Sequence, residues 1–337
     1  MGTIESPESG SEPETASAPD AAADPIADTS DLDGIAVAVV GAGLIGAAWA
    51  ALFHHHGATV TLHDPSREAI DTAESRIGTM LGQLRELAGS RHRSGRIRMV
   101  GELAAAVDNA DLVQENAPED LALKHRLYAE IEKAAPHGAI VASSTSSFTW
   151  SELSPGLDRP GRFVTAHPFN PPHLVPLVEI YGIDDEVVTR AEELYRAAGR
   201  TPVRLRRDAT GHLANRLASA LWREAVHIVA EGIADVDAVD SALVHGPGLR
   251  WSVVGAHMAY HLGGGADGMA GYLEHLGEAQ ERRWSDLGSP SLTPEVRAAL
   301  VAGVTEQADG RSIGELAARR DAALIAMLRA RSGIAGS

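Results

Sequence analysis

The chain has 337 residues, 44% of them apolar, no cysteine and a formal net charge of −17. That length fits about two domains, and without cysteine there is neither a disulfide framework nor thiolate chemistry. The acidic balance offers no basic patch for nucleic acid and opposes an anionic membrane surface, and no apolar run approaches the ~20 residues of a membrane span.

Residues 1–31 are mostly Pro, Ser, Ala and acids. Nine acids and no Lys or Arg fall within the first 33 residues. Such a composition cannot bury a core, so 1–31 reads as a disordered acidic tail. It lacks the basic and apolar regions of a secretory signal. A cytoplasmic protein is the expectation.

The character changes at Ile35. The run IAVAVV (35–40) predicts a strand buried on both faces. Gly41, Gly43 and Gly46 follow in G-x-G-x-x-G spacing. A helix is predicted over 44–56, then a strand over 58–62, and Asp64 lies 18 residues after Gly46. In that order the glycines become specific. Gly41 permits the tight turn, Gly43 lets backbone approach a pyrophosphate, and Gly46 lets helix and strand pack closely. The helix N-terminus offers free N–H groups to the anion. Gly41, Ala42, Gly43, Leu44, Ile45 and Gly46 are therefore candidate cofactor-binding residues. Asp64 suits the adenosine ribose hydroxyls and repels a 2′-phosphate, which favours NAD over NADP. Adjacent histidines at 54–56 diverge in direction, and no metal-ligand spacing appears in the chain.

A long helix is predicted over 66–88 and a basic, solvated loop over 90–96. A strand at 112–114 and a helix at 121–135 come next. Glu119 and Lys124 flank that helix start, where a charged pair suits a ribose; helix-start acidity and a surface lysine are the plainer account. The segment AIVASSTSSF (139–148) predicts a strand ending in hydroxyls. Ligands gather at such strand ends in this architecture, which makes Ser146 a candidate for a substrate oxygen or, alternatively, an N-cap for the following TWSEL turn.

The stretch HPFNPPHLVPLVE (167–179) carries His167, Asn170 and Glu179 between two strand-like runs. Histidine exchanges a proton near neutral pH, and works best when a carboxylate fixes its tautomer. A strand, a proline-stiffened turn and a second strand would return Glu179 to His167. On those two residues alone, a loop histidine beside a strand-end charge is an equal reading. A helix at 186–198 and a strand at 201–205 follow. From 212 onward the pattern is helical, with Asn215 near its start. The division expected is a Rossmann domain over 32–207 and an all-α domain over 208–337.

Four segments in order, VVGAGLIG, ASSTSSF, HPFNPPHLVPLVE and GHLANRL, resemble the 3-hydroxyacyl-CoA dehydrogenase superfamily. The resemblance spans about 34–300. HPFNPP, PEDLALK and GPGLRW are similar to its branch of carnitine 3-dehydrogenases and lambda-crystallin-like gulonate dehydrogenases. It implies an α/β fold: a Rossmann-type, doubly wound sheet followed by an all-α C-terminal domain that forms a homodimer. It implies NAD as cofactor and a small-molecule 3-hydroxy acid as substrate, L-carnitine first among them. His167 would be the base, Glu179 its orienting partner, and Ser146 and Asn215 the holders of the substrate oxygen. Asp64, Glu119, Lys124 and Asn170 match NAD-contacting positions. Arg250 suits a substrate carboxylate because guanidinium matches carboxylate bidentately; a structural helix-end arginine is as good an account. Trp251 and Tyr260 are the aromatic candidates for a trimethylammonium group. A hydroxyacyl-CoA or L-gulonate dehydrogenase, and a non-catalytic NAD-binding protein, stay open as alternatives.

Overall fold

The computed structural model describes residues 32–88 and 94–335. The acidic tail read at 1–31 and residues 90–93 of the basic loop lie outside them. The described strands are β1 (Ala36–Val40), β2 (Thr59–His63), β3 (Arg96–Val100), β4 (Leu112–Glu115), β5 (Ile140–Ser143), β6 (Phe163–Pro168), β7 (Leu177–Tyr181) and β8 (Thr201–Arg204). They form one sheet in the order β3-β2-β1-β4-β5-β6-β7-β8. Strands β1 to β6 run parallel. Strand β7 is antiparallel to β6, and β8 parallel to β7. The order of the first six strands is that of the dinucleotide-binding doubly wound fold, whose ligand crevice opens where the strand order reverses, between β1 and β4.

Helices cover both faces. They are α1 (Leu44–His55), α2 (Arg67–Ala88), α3 (Leu103–Val107), α4 (Leu121–Ala134), α5 (Trp150–Leu153) and α6 (Asp185–Ala197). Strand β1 explains why its sequence is continuously apolar. Val37 and Val39 join a core with Trp49, Phe53 and Tyr195 on one face, and Ala38 and Val40 join one with Tyr128, Ile131 and Phe163 on the other. Burying Phe53 alone contributes on the order of 1.5–3 kcal/mol. Trp49 stacks on Phe53 with ring centroids 5.2 Å apart.

Two sequence expectations need correction. The basic loop was read as running to Arg96, but Arg96 opens strand β3, which the sequence reading did not assign. It is the sheet edge, where Arg96 and Arg98 are exposed and Ile97 and Met99 half-buried. Arg98 donates from Nε to Thr61 Oγ1 at 2.9 Å and from Nη2 to the Ala105 carbonyl at 2.9 Å. Charged edge strands resist pairing with other chains, and that composition hid the strand. Thr149, not Ser146, caps the TWSEL helix: its hydroxyl and Glu152 form a reciprocal capping box, which leaves Ser146 for another use.

After β8 the described residues are helical: α7 (Ala214–Ala230), α8 (Val236–His245), α9 (Pro247–Trp251), α10 (Ala256–Gly263), α11 (Gly268–Asp286), α12 (Pro294–Ala308) and α13 (Ile313–Ala335). The last helix returns to the sheet-bearing part. Ile325 and Leu328 bury against Leu174 in the β6–β7 loop, and Gln83 of α2 donates to Asp321 at 3.0 Å. No described helix is long and apolar enough to cross a membrane.

Candidate active site

The β1–α1 turn is built by its glycines. Gly41 sits at φ +99, and a Cβ there would lie 2.7 Å from the Asn116 carbonyl oxygen. A Cβ on Gly46 would fall 1.8 Å from the Gly41 carbonyl oxygen, so strand end and helix touch backbone to backbone. A Cβ on Gly43 would meet nothing within 4 Å. This open, anion-ready face has no side-chain cap on α1, so the first-turn N–H groups remain available. Asp64, at the end of β2, accepts the Ala42 N–H at 2.9 Å with one oxygen and the Ser66 N–H at 2.9 Å with the other. Arg67 turns away to Asp71, 2.9 Å distant. The turn, the helix end and Asp64 fit a dinucleotide with an unphosphorylated ribose.

A cavity of about 410 Å³ opens over the C-terminal strand ends. Ile45, Glu119, Lys124 and Asn170, read from sequence as cofactor residues, line it. Ser146, His167 and Asn215 line it too. Leu44 is exposed at the start of α1.

His167 and Glu179 are cross-strand partners in the β6–β7 register. Nδ1 of His167 lies 2.9 Å from Glu179 Oε2. A carboxylate accepts, so Nδ1 carries the hydrogen, and in the neutral imidazole Nε2 keeps its lone pair. Glu179 is 1% exposed, and its second oxygen accepts the N–H groups of Leu213 at 2.7 Å and Ala214 at 2.8 Å. Burial pulls this carboxyl upward, but the bonds from His167, Ala214 and Leu213 outweigh it and hold it below the usual carboxylate range. Such an arrangement can serve general-base chemistry, with the carboxylate fixing the tautomer.

Glu119 organises the β5 end. It accepts the Ser146 N–H at 2.6 Å, the Ser147 N–H at 3.2 Å and the Thr145 hydroxyl at 3.0 Å. The Ser146 hydroxyl lies 3.1 Å from the same carboxylate oxygen. Burial raises the Glu119 carboxyl, yet the Ser146 amide, the Lys124 charge and the two hydroxyls bring it below its ordinary value. Lys124 is no surface lysine: it is 1% exposed. Its ammonium lies 2.8 Å from Glu115 Oε1, 3.3 Å from the Ala117 carbonyl and 3.6 Å from Glu119. Glu115, fully buried, is completed by Tyr128 and Ser143 hydroxyls, each at 2.7 Å.

Three contributors escaped sequence reading. Asn116 and Ser144 line the cavity, bonded to each other at 2.7 Å. His212 stacks on His167. Each lies within or beside a quoted motif, at its strand ends or in GHLANRL, which is the only signal the chain offers for them. Arg250, Trp251 and Tyr260 do not line this cavity. They lie in α9 and α10, where Arg250 is exposed and Tyr260 packs on Tyr272 with centroids 4.9 Å apart. No three described His, Asp or Glu residues gather as a metal site.

Fold and site together define an NAD-dependent oxidoreductase with a Rossmann-type sheet and a helical C-terminal part. Residues 36–209 match the NAD binding domain of 3-hydroxyacyl-CoA dehydrogenase and residues 211–293 its C-terminal domain; the chain belongs to the 3-hydroxyacyl-CoA dehydrogenase family. It is 45% identical to an L-carnitine dehydrogenase of Nocardiopsis dassonvillei over 298 residues, 87% of this chain and 91% of that protein. It is 41% identical to one from Streptomyces griseus over 310 residues, 91% of this chain and 92% of the relative. Among solved structures, an NAD+-dependent dismutase, 5-formyl-3-hydroxy-2-methylpyridine 4-carboxylic acid 5-dehydrogenase, superposes with a TM-score of 0.77 at 28% identity, covering 89% of this chain and 98% of that one.

Proposed function

We propose that the protein oxidises L-carnitine to 3-dehydrocarnitine with NAD. The observation that carries the chemistry is the buried His167–Glu179 pair at the cavity wall, with Nδ1 committed to the carboxylate. The substrate assignment is supported by the two L-carnitine dehydrogenases that match along nearly their whole length.

In the mechanism, the Gly41–Gly46 turn and Asp64 would hold NAD, which would supply the hydride acceptor. His167 Nε2 takes the substrate hydroxyl proton, and Glu179 stabilises the imidazolium that forms. Ser146 and Asn215, which line the same cavity, hydrogen-bond the reacting oxygen and hold it against Nε2. Glu119 and Lys124 brace the cofactor ribose, Lys124 acting chiefly by fixing Glu119, because its donors are spent on protein oxygens. Asn170, which lines the cavity, would contribute a further contact to the cofactor. Arg250, Trp251 and Tyr260 lie outside the cavity that holds His167, so the groups that receive the substrate carboxylate and trimethylammonium ends are not assigned to them.

The enzyme acts as a homodimer in the cytoplasm. The helical part leaves large apolar side chains uncovered, Leu217 at 73% and Trp284 at 62% exposed among them. Exposed apolar side chains on these helices support an interface between copies of the chain. A cytoplasmic setting suits an enzyme that draws on the cellular NAD pool. The non-catalytic alternative is opposed by the intact His167–Glu179 pair.

The test is NADH formation at mildly alkaline pH with L-carnitine, D-carnitine, L-gulonate, 3-hydroxybutyrate and 3-hydroxybutyryl-CoA. Turnover of L-carnitine well above the rest is expected. Turnover only of the CoA ester or gulonate would overturn the substrate and leave the catalytic roles standing.

A further inference from the structure

We infer that His212 is a positioning residue: its imidazole lies flat on the His167 ring and fixes the plane in which His167 presents Nε2 to the cavity. The inference rests on the reading of His167 as the base.

The two ring centroids are 4.8 Å apart with planes 17° from parallel. A single hydrogen bond to Glu179 pins one edge of the His167 ring. It leaves the ring free to rock about its broad terminal torsion. A second ring laid against its face removes that freedom and keeps water off that side. His212 is itself held. It is 1% exposed, and Nε2 lies 3.1 Å from the Thr145 carbonyl oxygen. A carbonyl only accepts, so Nε2 carries the hydrogen. Thr145 in turn donates its hydroxyl to Glu119. The base is thus referenced to the β5 end, where Ser146 sits, as well as to β7.

The backbone tells the same story. His212 has φ +48, a region that side chains other than glycine rarely occupy. It lies directly before Leu213 and Ala214, whose N–H groups Glu179 accepts. One short turn therefore supplies the stacking ring and the helix start that anchors Glu179. Burial, and then the neighbouring His167, hold the His212 imidazole below its usual range. It stays neutral at working pH and adds no charge against the imidazolium that forms beneath it.

The experiment compares His212→Asn, His212→Phe and His167→Asn in full-length protein, reading kcat and the KM for NAD separately with L-carnitine. Asparagine tolerates the left-handed backbone but offers no ring. Small misplacements of a catalytic group can cost about 10²-fold. The Asn variant should therefore lose roughly 10- to 100-fold in kcat with the NAD KM little changed. Phenylalanine restores a flat face without the hydrogen bond, and should recover most of that loss. If the Asn variant does not fold, His212→Gly, which accepts the left-handed backbone and carries no ring, takes its place and should be slow. Wild-type kcat in the Asn or Gly variant, or a Phe variant that folds with wild-type stability yet is as slow as they are, would overturn the inference while an inactive His167→Asn keeps the base. Full turnover by His167→Asn would overturn both.

Discussion

Glu179 faces His167 with one carboxylate oxygen at 2.9 Å and holds the first turn of α7 with the other. The proton-handling pair and the junction between the sheet-bearing and helical parts are thus one structure. Both functions converge on a side chain that is 1% exposed, where an unpaired charge would be costly. The two amide N–H groups satisfy the oxygen that His167 does not use.

Glu179→Gln separates the two functions. The amide oxygen can still accept from Leu213 and Ala214. Its NH2 group then faces His167 Nδ1 and forces that nitrogen to accept, so the hydrogen moves to Nε2 and the base loses its lone pair. The expected result is a kcat loss of about 10²-fold or more, with the fold and NAD affinity retained. Steady-state kinetics beside NAD titration checks it. A variant with near-normal kcat would mean that the tautomer does not matter.

Asp64 is proposed to join the glycine turn to the cofactor ribose. Its carboxylate accepts the Ala42 N–H, so it also supports the turn. Asp64→Ala should weaken NAD binding by about 10-fold or more, the value of losing hydrogen bonds to a charged group. It should also narrow the preference for NAD over NADP, because a negative charge no longer opposes the 2′-phosphate. Fluorescence titration with both dinucleotides reads this. Unchanged selectivity would remove Asp64 from the ribose site.

How much of this was legible depended on whether a residue's role was local. The Gly41–Gly46 turn, Asp64 and the helix after it form one continuous unit, so spacing alone exposed them. The proline-stiffened turn between His167 and Glu179 allowed their pairing but left a loop histidine as an equal reading, and the β6–β7 register decides it. The arginine-bearing edge strand β3 was obscured because its outward residues look like solvated loop. Lys124 looked superficial because its burial depends on Glu115, nine residues away in sequence and across an element boundary. The stacking of His212 on His167 joins positions 45 residues apart, and no periodicity encodes it. The return of α13 to Leu174 is of the same kind.

Gly46 is the most exacting position in the turn. A Cβ there would sit 1.8 Å from the Gly41 carbonyl oxygen, and backbone cannot step aside as a flexible side chain can. Gly46→Ala must push α1 off β1. That disturbs the core around Trp49 and Phe53 as well as the anion-facing N-terminus. A loss of several kcal/mol in stability is expected, in the range of overpacked cores or above, together with loss of NAD binding. Gly43→Ala, with open space around its Cβ, should fold normally and lose affinity only for the dinucleotide. Thermal unfolding with and without NAD distinguishes the pair. Equal melting temperatures for the two apo variants would contradict the close approach at Gly46.

The loop that follows Asn170 should make the fold acid-sensitive. His173 is 1% exposed and donates from Nε2 to Gln83 at 2.7 Å, and Gln83 in turn donates to Asp321 of α13. Burial, only partly offset by Asp321, holds the His173 imidazole down at about 4 against an ordinary value of 6.5. The unfolded chain therefore takes up this proton first as pH falls. Stability is intact above about 6.5 and is lost progressively between there and about 4, at up to about 1.4 kcal/mol per pH unit. Protonation of the folded state would leave a buried cation against α2 and α13. His173→Asn keeps a donor for Gln83 and removes the titration. Between pH 6.5 and 4.5 the wild type should lose up to about 2 kcal/mol more than this variant in urea unfolding. Parallel losses would show that His173 is already charged or solvated in the folded protein, and would detach the C-terminal helix from the pH response.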